Sequence, residues 1–85
     1  MRIFLEVEYT TREKVNVTAS AVDLMKFEEE YGLSIVRLDK EIKLTHLMFL
    51  AWTSLHRQNL TKLEFDKWAE TVETIGLSDQ DPKLS

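Results

Sequence analysis

The chain has 85 residues, a formal net charge of −4 and no cysteine, with 44 % hydrophobic and 31 % charged residues. That length supports one small domain, whose core supplies only about 3–5 kcal/mol of net stability. The absence of Cys excludes disulfides and thiolate metal sites. Scattered Lys and Arg under an acidic balance argue against a phosphate backbone as partner. The chain's 2 Gly leave no glycine-rich phosphate loop.

At the N-terminus, Glu6 and Glu8 interrupt the apolar residues, so no signal-peptide core follows Arg2. Residues 3–9 alternate, with Ile3, Leu5, Val7 and Tyr9 on one face and Phe4, Glu6 and Glu8 on the other. Period two with aromatic and β-branched residues predicts a half-buried strand. Val15 and Val17 alternate with Lys14, Asn16 and Thr18 in a second strand, and the spacing makes the pair a hairpin. The connection Thr10-Thr11-Arg12-Glu13 lacks the Asn-Gly signature of the tightest turns.

Ser20, with Asp23 three residues on, forms a capping-box signature. Leu24, Phe27 and Tyr31 then recur at helical spacing, and Gly32 follows where helices end. This predicts a first helix over Ala21–Tyr31, with Glu28, Glu29 and Glu30 on its solvent side. Residues 33–42 fit no period and are read as irregular. A second helix is predicted over about Lys43–Gln58, ending at a left-handed Asn59. Leu44, Leu47, Met48, Ala51, Trp52 and Leu55 form its apolar stripe. Thr61 and Glu64 resemble a capping box, flanked by Leu60 and Phe65 as a hydrophobic staple. Phe65, Trp68, Ala69, Val72 and Ile75 then predict a third helix over about Lys62–Thr74, ended by Gly76. The polar stretch from Ser78 to Ser85 reads as an unstructured tail. The fold class is α+β: a β-hairpin followed by three helices, with residues 1–77 as a single domain.

No constellation for chemistry emerges. His46 and His56 do not sit one or two turns apart, and no His-Glu-x-x-His is present. Ser20, Ser34 and Ser54 have no evident His and carboxylate support. The expectation is a protein that is not an enzyme and holds no cofactor or metal. The run Leu47-Met48-Phe49-Leu50-Ala51-Trp52 is too short to span a bilayer, so a soluble cytosolic protein is expected. Phe49 and Leu50 fall off the apolar stripe. Either this helix is sandwiched inside its own domain, or it is shared with another chain. Partner contact is assigned to Phe49, Leu50, Trp52 and His56, since aromatic side chains bury much surface at little entropic cost.

The order of hairpin, Phe27-Glu28 helix ending at Tyr31-Gly32, Leu50-Ala51-Trp52 with Leu55 and Arg57, then Phe65 and Trp68, resembles a known family. It is similar to the small tail assembly chaperones of long, non-contractile-tailed bacteriophages, over about residues 3–75. The resemblance implies a protein of the infected host's cytoplasm, absent from the mature virion. It implies binding to the tape measure protein, keeping it soluble until tail-tube subunits polymerise around it. The tail-tube protein and self-association are further implied contacts, with no nucleic acid and no membrane. Many family members have a longer form made by programmed frameshift, and Asp81-Pro82-Lys83 can be encoded by a slippery heptamer. The alternative readings are a phage structural component, such as a head–tail connector or tail-completion protein, and a small helical protein-binding regulator.

Overall fold

The computed structural model describes residues 2–33 and 43–78. The irregular segment, the tail beyond Ser78 and the slippery codons read from the sequence lie outside those residues. Alternation builds β1 (Ile3–Tyr9) and β2 (Lys14–Ala19), paired antiparallel with Leu5 opposite Val17 and Val7 opposite Val15. Their turn is closed by the Arg12 N–H on the Tyr9 carbonyl at 2.9 Å and the Tyr9 N–H on the Glu13 carbonyl at 2.8 Å. Arg12 takes φ 78°, where a three-residue hairpin loop ordinarily places glycine.

Helix α1 (Ala21–Tyr31) starts at Ser20, whose N–H donates to Asp23 Oδ2 at 2.9 Å. It ends at Gly32, left-handed with φ 63°. Helix α2 (Leu44–Arg57) is followed by a left-handed Asn59 with φ 60°. These elements match the sequence reading.

The third helix does not. Helix α3 spans only Phe65–Ala69, and Val72–Ser78 forms a strand, β3, antiparallel to β1. Val72 and Ile75 satisfy a helical stripe, but Thr71, Val72, Thr74 and Ile75 are β-branched and fit a pleated surface better. The Thr71 hydroxyl donates to the Trp68 carbonyl at 2.6 Å and its N–H to the same oxygen at 2.9 Å, which closes the helix. Gly76, read as a helix end, sits within β3 opposite Glu6, and Ser78 ends the strand rather than opening a tail. The residue before α3 is Glu64, not Thr61. The Thr61 hydroxyl instead accepts the Leu63 N–H at 3.2 Å. The architecture is therefore α+β, with a strand following the helices as well as preceding them.

The sheet order is β2-β1-β3. Its inner face carries Leu5, Val7, Val17 and Ala19, packed with Leu24, Phe27, Leu47, Leu50, Ala51, Leu55 and Trp68 from the helices. The outer face carries Glu6, Lys14, Asn16 and Thr74, all exposed. Burying the core side chains contributes about 1.5–3 kcal/mol each before the entropy of ordering is set against it.

Candidate interaction surface

Helix α2 has two working faces, and their placement differs from the sequence reading. Its core face comprises Leu47, Leu50, Ala51, Ser54 and Leu55, whereas Leu44, expected in the stripe, is 66 % exposed. The rotation follows from Ser54. Its hydroxyl donates to the Thr18 carbonyl at 2.7 Å, so a polar residue is fully buried where apolar periodicity found a gap. Leu50, assigned to partner contact, is 0 % exposed and belongs to the core. That assignment is corrected, because a side chain enclosed by its own domain has no surface for a partner.

Phe49 and Trp52 are half-buried and His56 is exposed. They join a continuous strip of rings. Tyr31, at the end of α1, meets Phe49 edge-on at 5.3 Å. Phe65 of α3 lies 5.8 Å from Phe49 and 5.7 Å from Trp52. Trp52 lies 4.9 Å from His56, one turn on. Edge-to-face and tilted contacts of this kind hold rings in fixed orientations. Trp52 Nε1 donates to the Leu63 carbonyl at 2.9 Å, which ties the α2–α3 connection to the strip. The strip thus has one side against the core and one side open, bordered by exposed Leu63. Phe65 and Tyr31 were legible as apolar positions, but their convergence on Phe49 depends on the helix crossing and carries no local signal.

His46, which the sequence spacing set aside as a metal ligand, is buried. It lies 5.1 Å from both Phe27 and Tyr31, and its Nδ1 accepts the Lys43 N–H at 3.4 Å. Burial pushes the Tyr31 phenol up, helped by the neighbouring Glu30 charge.

A second feature is a groove of about 510 Å³ at the hairpin end. Tyr9, Val15, Leu55, Leu60, Leu63 and Trp68 supply its apolar wall, and Thr10, Thr11, Thr61 and Thr71 its hydroxyls. Trp68 Nε1 donates to the Tyr9 hydroxyl at 3.3 Å beneath it.

Asp23 and Arg57 fasten the two long helices. Arg57 donates from Nε to Oδ1 at 2.8 Å and from its terminal nitrogen to Oδ2 at 3.0 Å. Burial would raise the Asp23 pKa, but the Arg57 hydrogen bonds, the Ser20 N–H and hydroxyl and the Arg57 charge outweigh it and hold the carboxyl below its ordinary value. The same hydrogen bonding raises Arg57. The sequence showed Asp23 only as a capping residue.

Among the described residues, no three of His, Cys, Asp or Glu come together as a metal site, and no helix is long and apolar enough to cross a membrane. No family model, curated protein or solved structure matches the chain.

Proposed function

We propose that the chain is a tail assembly chaperone of a long-tailed phage, binding the tape measure protein in the infected cell until the tail tube polymerises around it. The observation that carries this reading is the ring strip Tyr31–Phe49–Phe65–Trp52–His56, half-buried except for the exposed His56. A long apolar helix presents side chains at i, i+3, i+4 and i+7, and a pre-ordered aromatic strip on a rigid helix receives such a row with little entropy lost. Release to the tail tube requires a reversible, non-covalent hold, which apolar contact provides. On this reading the protein acts in the host cytoplasm and leaves the particle before completion.

The test is co-expression with the tape measure protein of the same tail gene cluster, followed by affinity capture. Soluble tape measure protein should appear only with the chaperone and should be captured with it. Trp52→Ala, and separately the exposed pair Leu63→Lys with His56→Glu, should weaken capture about tenfold or more, as loss of an interface anchor does. Circular dichroism should stay native for the exposed pair. A tape measure protein equally insoluble with and without the chain rejects the reading, as does finding the chain in stoichiometric amounts in purified particles.

A further inference from the structure

The two edges of the sheet are treated differently, and the difference points to a second copy of this chain. In an antiparallel ladder, successive residues turn their backbone groups alternately to the two sides. The Tyr9 N–H bonds to the Glu13 carbonyl, on the β2 side. The odd residues of β1 therefore bond to β2, and Phe4, Glu6 and Glu8 bond to β3. Their partners there are Ser78, Gly76 and Thr74. The N–H and C=O groups of Ile75 and Leu77 consequently point away from β1, along the outer edge of β3.

By the same alternation, the outer edge of β2 presents Lys14, Asn16 and Thr18. That edge is blunted. The Thr18 carbonyl is taken by the Ser54 hydroxyl at 2.7 Å, and Lys14 stands at the far end. Lysine and covering side chains are the usual protections of an edge strand. The strand β3, Val-Glu-Thr-Ile-Gly-Leu-Ser, has neither Lys nor Pro, and its register shift against β1 falls at Glu73, leaving Thr74–Ser78 regular. Among the described residues, no backbone bond outside the sheet reaches Ile75 or Leu77. Leu77 is 47 % exposed although it pairs with Leu5 on the face that the helices cover.

We propose that β3 is the seam of a symmetric dimer, pairing antiparallel with β3 of a second copy so that Ile75 lies opposite Ile75. Ile75 is the middle residue of the strand and lies within its regular part, Thr74–Ser78. This register sets Glu73, the one charge of β3, opposite Leu77 of the second copy. A register centred on Glu73 would oppose two carboxylates, which disfavours it. Small Thr74 and Gly76 face each other across the outer side without crowding. The two-fold axis stands perpendicular to the sheet, so both sets of helices share one side. Leu77 then comes within diagonal reach of Ile75 of the second copy, and its open flank is covered. The result is a six-stranded sheet, β2-β1-β3-β3-β1-β2. The ring strip takes no part in this seam, so the proposal stands apart from the tape-measure reading.

Sedimentation of the unmodified chain over a range of concentrations should show a monomer–dimer equilibrium. Leu77→Pro removes an edge N–H twice per dimer and should raise the dissociation constant about tenfold or more. Leu77→Lys should do the same through charge, and it keeps the backbone intact if the Pro variant misfolds. Because the chain has no Cys, Thr74→Cys accepts a single spin label on the exposed outer face. The pairing places the two Thr74 Cα atoms roughly 8 Å apart, so strong dipolar broadening is expected. It should vanish on dilution with unlabelled protein. A chain monomeric at every concentration overturns the proposal. So does a dimer that survives both Leu77 variants or shows no broadening at position 74.

Discussion

Asp23 is fully enclosed and yet remains a carboxylate, because Arg57 and Ser20 supply the bonds that water would. Its folded pKa lies below its unfolded value. The stabilisation is therefore complete above the ordinary carboxylate value of about 4 and is lost as pH falls through the lower folded value. The denaturant midpoint should drop over that acidic window, and Asp23→Asn should remove this component of the drop. Arg57→Ala should cost about 1–3 kcal/mol near neutral pH. That is below the cost of breaking a fully buried pair, because the Arg57 side chain is 34 % exposed and partly screened. Arg12 presents the opposite case. It holds a left-handed φ of 78°, and among the described residues its side chain pairs with Glu8 at 3.6 Å while itself largely exposed. Arg12→Gly should raise stability by about 0.5–1 kcal/mol, read as a higher urea midpoint at unchanged slope.

At the level of elements, period two and period 3.6 read correctly wherever one face alone was buried, as in β1, β2 and α1. They failed where two periods coincide. Val72 and Ile75 are three apart, which fits a helical stripe, and in the strand both are half-buried. The deciding term is the free side of β1, a non-local partner that no window of sequence contains. In α2 the error was a rotation: Leu50 and Ser54, one turn apart and both off the hydropathy stripe, lie on the core face. Phe49, Trp52 and His56 lie on the open or half-open side, so their exposure was legible. Tyr31 and Phe65 reach that side only through packing. Leu50→Lys, which puts a cation at a fully buried site, should abolish cooperative unfolding altogether. Trp68 is both core residue and partner to Tyr9 at the seat of β3. Trp68→Ala should cost about 3–5 kcal/mol, comparable to the stability of so small a domain. A midpoint near wild type would show that α3 is peripheral.

Across the whole molecule, the contact between Tyr9 and Trp68 joins residues 59 apart, and the β1–β3 ladder spans as much of the chain. Non-local pairing of this kind is slow to form. A chain shortened to end before Val72 should retain the amide protection of α2 no better than an unfolded peptide, measured by hydrogen exchange, if the sheet is one cooperative unit. The placement of β1 in the centre of the sheet also matters while the protein is being made. It leaves the ribosome before either of its neighbours, and β3 follows only after both long helices. Until β3 follows, the nascent chain carries a hairpin with one unsatisfied flank at Phe4, Glu6 and Glu8. Adjacent ribosomes on one message hold many such hairpins side by side. The carboxylates of Glu6 and Glu8, on the outer face beside that flank, would oppose like charges if two such hairpins paired there, which disfavours that pairing until β3 arrives.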